Sequence, residues 1–401
     1  MVKELMRVIS ERMLINGERY NPHLFSQPNH NSLLHLAMSL TMDLNIDRNT
    51  GFCEKATIVA ASKSHGVPQP TKIISNDERR AVLGTFYLTS NVFSSFRKVD
   101  VLHWSPWLTE CADALSREPE YDSDVLLGQL VQSQRIMQEA LCTQYDHAPS
   151  QFFAKSFLSD LDRIGSQPGE GRTATILRLQ QACTRAAIWE RSFADLHHNK
   201  ANPSDLRQRL EGIWRCMEAV KAYIGLYMGV PVEDYPIVSF GVFAQFAFIF
   251  VVVIRASSLN VDGWDVHAVR EYVDFSTLME EAARRYDAVT HARPDGLLLK
   301  NEGFAKWAAK TKWAKAFYET KFMAAALDEQ VERNKMTGDG GNAVDRGTSQ
   351  ILPPLASPVH LTTRMDVPAQ TWPDVFPFCE ETFWNGWNDP MQLAELGFEV
   401  L

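Results

Sequence analysis

The fold is decided by residues 77–115, which read DERRAVLGTFYLTSNVFSSFRKVDVLHWSPWLTECADAL. At the start of this stretch, Ser75 and Glu78 have the S-x-x-E spacing of a capping box, which marks the N-terminus of a helix. Apolar residues then recur at intervals of three and four positions, as they do in an amphipathic helix. They are Val82, Leu83, Phe86, Tyr87, Val92, Phe93 and Phe96. The pattern predicts a long helix with an apolar face.

A second helix is predicted directly after the first. The charged run 97–100 ends the apolar pattern, and Ser105-Pro106 is an N-cap residue followed by proline at the first helical position. The apolar side of this second helix contains Trp107, Leu108, Cys111, Ala112 and Leu115. We expect the two helices to meet at a sharp corner in which Trp107 is buried, and Trp104 to lie outside the second helix.

The rest of the chain also has helical periodicity, and no alternating strand pattern competes with it. Residues 237–254 are apolar apart from Ser239 and Gln245, and their number is at the lower limit for a membrane span. We interpret this stretch as a core helix buried on every side, with a membrane helix as the alternative. Other helices are predicted over residues 2–14, 31–48, 122–145, 173–197, 203–229 and 302–329. The predicted fold class is all-α, a multi-helix bundle or solenoid.

Composition divides the chain into three segments. Residues 1–333 form the helical domain, and residues 334–370, rich in Gly, Pro, Ser and Thr, form a flexible linker. Residues 371–401 alternate acidic and aromatic side chains, among them Phe383, Trp384 and Trp387. This composition is typical of an activation segment that binds a coactivator, and it is equally compatible with a last helix docked on the main domain.

Charge and cysteine usage restrict the partners and the compartment. The net charge of −9 makes the surface as a whole unfavourable for phosphate, so selective DNA binding by this chain alone is not expected. The six cysteines include no C-x-x-C pair, which favours a reducing compartment. Residues 1–13 mix acidic and basic side chains, unlike a secretory signal, and predict an intracellular protein.

No catalytic motif with a known mechanism occurs, so we predict no enzyme activity, no cofactor and no metal site. The pair His197-His198 is interpreted as a solvated helix end, because adjacent helical residues point in different directions. Cys111 is interpreted as a buried thiol, with redox sensing as the alternative. Arg79 and Arg80 are either first-turn charges on a solvated face or functional contacts.

Two stretches carry a family resemblance. The first contains Arg79, Arg80, Tyr87, Arg97, Trp104, Leu108 and Cys111. The second contains Leu36, Ala37, Leu40, Asp43, Leu44 and Arg48, with Asn45 at a position where the family has glycine. In both, the order of residues resembles the middle homology region of fungal zinc-cluster (Zn2Cys6) transcription regulators, the fungal-specific transcription factor domain.

The resemblance implies a helical regulatory domain that controls transcription of a metabolic or secondary-metabolite gene cluster. It implies a nuclear protein, present also in the cytoplasm, whose partners are other transcription regulators or coactivators, together with a small-molecule effector. The family reads DNA through a six-cysteine cluster beginning C-x2-C-x6-C, which this sequence does not contain. We therefore expect a regulator that has no zinc cluster of its own, either because it acts through a partner or because the sequence is truncated.

Two other functions remain open. A helical domain rich in Phe and Trp could be a small-molecule-binding regulatory module. A helical enzyme or lipid-handling protein is the second alternative, which a pocket with convergent ionisable groups would favour.

Overall fold

The structure is a computed structural model that describes residues 30–43, 46, 74–96, 102–142, 150–165, 171–193, 196, 203–291 and 302–320. Over these residues all regular secondary structure is helical, which confirms the all-α prediction. The first helices are α1 (His30–Asp43), α2 (Asn76–Phe96), α3 (Pro106–Arg117), α4 (Asp122–Cys142), α5 (Ser150–Arg163) and α6 (Arg172–Glu190). The later ones are α7 (Pro203–Met228), α8 (Phe240–Ser257), α9 (Val266–Tyr272), α10 (Phe275–His291) and α11 (Glu302–Tyr318). Short 3-10 helices cover Arg191–Phe193 and Val232–Ile237.

Both predicted caps of the opening stretch are present. The Ser75 backbone N–H donates to Glu78 Oε2 (2.9 Å), and the Glu78 N–H donates to Ser75 Oγ (3.2 Å), which completes the capping box of α2. At α3, Ser105 Oγ accepts from the Leu108 N–H, and Pro106 is the first helical residue. Sequence alone therefore located the starts of both helices.

Helix α2 differs from the prediction because it is buried all round. Every residue from Arg80 to Val92 is buried, including the polar ones. The helix contacts α1, α3, α4 and α8, so it has no solvated face over this length. Its threonines can be buried because Thr85 and Thr89 donate to the carbonyl oxygens of Ala81 and Thr85, four residues earlier. The amphipathic interpretation of α2 was wrong for this reason.

The predicted burial of Trp107 also needs correction, whereas Trp104 lies outside α3, as predicted. Trp107 is only half-buried, and its Nε1–H donates to the carbonyl oxygen of Ile46 (2.9 Å). Trp104 packs edge-on against Phe86, with ring centroids 5.0 Å apart, and lies 5.5 Å from the guanidinium carbon of Arg135. Both indoles thus flank the α2–α3 corner, and the fully buried positions of α3 belong to smaller side chains, Leu108, Cys111, Ala112 and Leu115.

Helix α8 is the core helix, as predicted. It contacts α2, α6, α7 and α9, and the side chains described from Gly241 to Ala256 are buried. At its C-terminal end, Arg255 forms a buried ion pair with Glu190 of α6 and lies over the Phe193 ring. In the part of the chain that the structure describes, no helix combines the length and apolarity needed to cross a membrane.

Several predictions concern residues that the structure does not describe, and several helices differ from the prediction. The helix over 2–14, Asn45, His197-His198, the linker 334–370 and the segment 371–401 lie outside the described residues. Helix α6 ends at Glu190, earlier than predicted, and passes into the 3-10 helix. Helices α5, α9 and α10 were not predicted from the sequence.

Candidate functional site

Arg80 lies at an ionic junction between α2 and the start of α4. Its Nε and Nη2 donate to the two carboxylate oxygens of Asp124 (2.7 and 2.9 Å), in a bidentate arrangement. Nη2 also donates to Glu120 (2.6 Å), and Nη1 donates to Asp77 (2.8 Å). The Tyr121 ring centroid is 4.6 Å from the guanidinium carbon. We call Asp77, Arg80, Glu120 and Asp124 the Arg80 junction; only 7% of Arg80 is exposed, so its interpretation as a solvated charge was wrong.

Asp124 is the buried centre of this junction. Its Oδ2 accepts the backbone N–H groups of Glu120 (2.9 Å) and Tyr121 (3.1 Å), so the carboxylate also holds the turn that precedes α4. Burial by itself would raise the pKa of Asp124, but the hydrogen bonds from Arg80 and from these two backbone groups outweigh it and lower the pKa below its ordinary value. The carboxylate is therefore ionised at neutral pH.

The other family-signature positions surround the α2–α3 corner. Arg79 is half-buried and donates to Asn76 Oδ1 (2.6 Å). Leu108 and Cys111 are fully buried in the cluster that joins α2, α3 and α4, and burial raises the pKa of the Cys111 thiol to about 12. Arg97 lies outside the described residues. Trp104, described above, completes the set; these side chains support helix packing and do not converge on one reactive centre.

Tyr87 leads to a second feature, a set of uncharged polar side chains in the middle of the domain. Gln180 of α6 is at its centre: its Oε1 accepts from Tyr87 Oη (3.0 Å), Asn91 Nδ2 (3.4 Å) and Gln245 Nε2 (2.5 Å). Its Nε2 donates to Gln134 Oε1 (3.0 Å). We call Tyr87, Asn91, Gln134, Gln180 and Gln245 the polar cluster. It connects α2, α4, α6 and α8, and each of its residues is at most 1% exposed.

Hydroxyl groups of α2 and α6 extend the polar cluster. Gln134 Nε2 donates to Ser90 Oγ (3.1 Å) and Ser94 Oγ (3.0 Å). Gln180 Nε2 also donates to Thr184 Oγ1 (3.2 Å). None of these side chains is charged, and burial raises the pKa of the Tyr87 phenol well above its ordinary value. The cluster is neutral at any physiological pH, so it can recognise or orient neutral groups through hydrogen bonds.

Sequence reasoning had not selected the glutamines of the polar cluster. One signal was available, because Gln245 interrupts an otherwise apolar helix and a buried amide needs partners. The partners themselves lie 65 residues apart for Gln245 and Gln180, and 46 residues apart for Gln180 and Gln134. Such pairings depend on how four helices pack, which periodicity does not reveal.

The described residues include no group of three or more His, Cys, Asp or Glu side chains arranged to hold a metal ion. The buried cysteines Cys111, Cys183 and Cys216 are free thiols whose pKa values burial raises.

Comparison with known proteins gives two relatives. The chain is 24% identical over 323 residues to "Transcription factor opdL" of Penicillium oxalicum (strain 114-2 / CGMCC 5302), an alignment of 73% of this chain and 55% of that protein. It is 22% identical over 396 residues to "Transcription factor himD" of Aspergillus japonicus, an alignment of 94% of this chain and 64% of that protein. The chain resembles fungal transcription factors.

Both relatives are named transcription factors and come from fungi, which agrees with the resemblance of residues 36–48 and 79–111. The chain spans 55% and 64% of the length of these two curated proteins. No protein-family profile matches it. No solved structure matches it either.

Proposed function

We propose that this chain is the regulatory part of a fungal zinc-cluster-type transcription regulator that controls a metabolic or secondary-metabolite gene cluster in the nucleus. The observation that carries the proposal is the similarity to two proteins named transcription factors, which extends over 73% and 94% of this chain. Arg80 and Cys111, which lie at signature positions of the resembled family, are both buried where α2 packs against α3 and α4. We propose no enzyme activity for this chain.

DNA recognition is proposed to come from outside the described helices. The net charge of −9 opposes binding to phosphate, and these 401 residues contain no C-x-x-C pair that could begin a zinc cluster. A partner regulator or a further segment would supply sequence selectivity. The isolated chain should bind duplex DNA only weakly, with a Kd of about 10⁻⁴–10⁻⁶ M at physiological salt. Tight, sequence-selective binding in a gel shift with the purified chain would refute this.

The transcriptional role is tested by deleting the gene and sequencing the transcripts. We expect a set of neighbouring biosynthetic genes to change together, and complementation with the intact gene to restore them. Complementation with an Arg80→Met variant should restore these transcripts poorly, because the variant loses the Arg80 junction. The control variant Arg163→Met changes only an exposed ion pair and should restore the transcripts fully. Unchanged transcripts under conditions in which the gene is expressed would refute the proposal.

The segment 371–401 is proposed to recruit a coactivator through Phe383, Trp384 and Trp387. Acidic residues would keep these aromatic side chains solvated until an apolar groove accepts them. Residues 365–401 fused to a heterologous DNA-binding domain should activate a reporter, and replacing the three aromatic residues with alanine should abolish the activation. An inert fusion would favour the alternative, a helix that docks on the main domain.

A further inference from the structure

Among the residues that the structure describes, several buried polar atoms in or near the polar cluster have no hydrogen-bond partner. They are Asn91 Oδ1, Ser95 Oγ, Gln138 Nε2, Ser239 Oγ and Gln245 Oε1. The exposed fraction of these residues ranges from 1% to 5%. Buried polar groups in proteins almost always have a partner, because losing water without replacing its hydrogen bonds is unfavourable. These five exceptions therefore need a physical explanation.

These atoms gather around the C-terminal half of α2. Asn91 and Ser95 are one helical turn apart, so they share a face of α2. Gln138 is likewise one turn beyond Gln134, whose Nε2 reaches Ser94 Oγ, next to Ser95 in the chain. Helices α2 and α4 thus direct Ser95 and Gln138 to the same level of their interface.

Helix α8 contributes the opposite side. Gln245 and Asn91 meet at Gln180 Oε1, which accepts a hydrogen bond from each. A Cβ atom added to Gly241 would lie 3.2 Å from Asn91 Nδ2 and 3.4 Å from Ser239 Oγ. The first turn of α8 therefore approaches Asn91 closely, and Ser239 is beside it.

The orientation of these groups is fixed by what surrounds them. Because the NH₂ groups of Asn91 and Gln245 both point to Gln180, their carbonyl oxygens point away from Gln180 Oε1. Ser239 is the N-cap residue of α8, yet its hydroxyl does not cap the helix. The N-terminal end of α8, where the helix dipole is positive, therefore lies beside Asn91, and Gln245 follows on the same helix.

We propose that Asn91, Ser95, Gln138, Ser239 and Gln245 bind a small neutral ligand that carries hydroxyl or carboxamide groups. The two carbonyl oxygens require hydrogen-bond donors, the Gln138 NH₂ requires an acceptor, and the two serine hydroxyls serve as either. Hydroxyl and carboxamide groups supply donors and acceptors together. A charged ligand would lose its hydration without meeting an opposite charge, because none of these five side chains is ionisable.

The ligand's role as an effector rests on the proposed function, but its binding does not. The amides that contact it are held by Gln180, so binding would act on the contact between α2 and α8. Ordering this contact would favour one arrangement of the two helices, which is how a ligand shifts a conformational equilibrium.

The first test uses two glutamines one turn apart on α4. Gln134 has partners for its amide, whereas Gln138 Nε2 has none. In a binding site without its ligand, Gln138→Met removes an unsatisfied group and should leave the Tm of the full chain unchanged or higher. Gln134→Met breaks satisfied bonds and should lower the Tm. An equal loss in both variants would show that Gln138 is a satisfied structural residue, and would overturn the proposal.

The second test uses neutral probes and their charged counterparts. Nicotinamide and D-glucose, each at millimolar concentration, are compared with nicotinate and D-glucuronate in thermal unfolding of the purified chain. At least one neutral probe should raise the Tm more than its charged counterpart, and the increase should disappear in Gln245→Met. It should persist in Gln181→Met, which changes a glutamine bonded to Gly165 on the outer side of α6.

The proposal is overturned if neither neutral probe raises the Tm, if the increase survives Gln245→Met, or if a high-resolution structure shows only ordered water at the five side chains. These outcomes leave the transcriptional proposal intact when gene deletion still changes the transcripts. A Tm increase that depends on Gln245, combined with unchanged transcripts on gene deletion, would support the proposed binding site but refute the transcriptional role.

Discussion

Replacing Arg80 with methionine should destabilise the domain far more than the loss of an ordinary surface charge. Arg80 and Asp124 are both buried, with side-chain exposures of 8% and 1%, and two hydrogen bonds join them. Methionine keeps most of the side-chain volume but leaves the Asp124 carboxylate buried without its cation. Removing one partner of a buried ion pair costs about 3–5 kcal/mol, because the remaining charge is desolvated and uncompensated.

This loss is large against the total stability of a domain, which is about 5–15 kcal/mol. The control is Arg163→Met on α5, where Arg163 Nη1 is 3.4 Å from Asp160 and the arginine side chain is 80% exposed. Such a pair contributes about 0–1 kcal/mol, because water and salt screen it. The two substitutions make the same chemical change in opposite environments.

The assay is urea unfolding followed by circular dichroism at neutral pH, with the free energy of unfolding taken from the midpoint and slope. The double variant Arg80→Met/Asp124→Asn completes a thermodynamic cycle, and it should be more stable than the sum of the single losses predicts, because it has no uncompensated carboxylate. A loss in Arg80→Met no larger than that in Arg163→Met would refute the assignment of Arg80 to a buried junction.

The same junction should make stability depend on acid. The pKa of Asp124 is lower in the folded protein than its ordinary value, which is about 3.9 in an unfolded chain. Its contribution is therefore complete above about pH 5 and is lost as the pH falls through the folded-state pKa. The Asp124→Asn variant lacks this contribution. Its free energy of unfolding should therefore decrease less than that of the natural protein between about pH 5 and about pH 3. Parallel decreases in the two proteins would contradict it.

Two further predictions concern packing. Alanine at Gly212 would place Cβ 2.1 Å from Ser192 Oγ, so Gly212→Ala should lower the Tm. Adding Ser192→Gly to this variant should partly restore the Tm. By contrast, Gly225→Ala on the same helix meets nothing within 4 Å and should add up to about 1 kcal/mol of stability. Equal effects at the two glycines, measured by thermal unfolding, would contradict the close approach of α7 to the 3-10 helix. Because burial raises the pKa of Cys111 to about 12, its thiol should react with a disulfide reagent only after unfolding, and rapid labelling of Cys111 in the native protein, located by mass spectrometry, would contradict its burial.

The sequence predicted the helix starts well because their signals are local. Ser75 with Glu78, and Ser105 with Pro106, each act within one helical turn, and the structure has both caps. The core helix α8 was likewise evident from its composition. Helices α5, α9 and α10 were missed, and α9 shows one reason: it has seven residues, which is too short to display a clear period.

The burial of α2 could not be derived from its own residues. Thr85, Thr89 and Ser94 look like a solvent-facing stripe, but each hydroxyl donates to a backbone carbonyl oxygen of its own helix. A short polar side chain that is satisfied locally can be buried or exposed at similar cost, so only the neighbouring helices decide. For the same reason, Arg80 could not be distinguished from a surface charge until Asp124, 44 residues later, was placed beside it.

Polar contacts fix how α2 lies against α4 and the turn before it. Asn76 contacts Glu120, Arg80 contacts Asp124, and Ser90 contacts Gln134, in each case across 44 residues, and the contacts of Arg80 with Glu120 and of Ser94 with Gln134 span 40 residues. Because the separation of 44 residues recurs from the start of α2 to Ser90, the two elements run parallel in one register, over the roughly 21 Å that 14 helical residues span.

Apolar contacts alone would tolerate a slip of one helical turn, because residues three or four positions away present similar side chains to the neighbour. The polar contacts do not tolerate it, since a slip would separate Arg80 from Asp124 and Gln134 from Ser90 at the same time. Buried polar pairs often contribute little net stability, and their best-established use is to select one register among several. The signature position Arg80 therefore sets where Asn91 and Ser95 stand relative to Gln138, and through Gln180 relative to α8. Arg80, about three helical turns before Asn91, in this way influences the geometry of the proposed site.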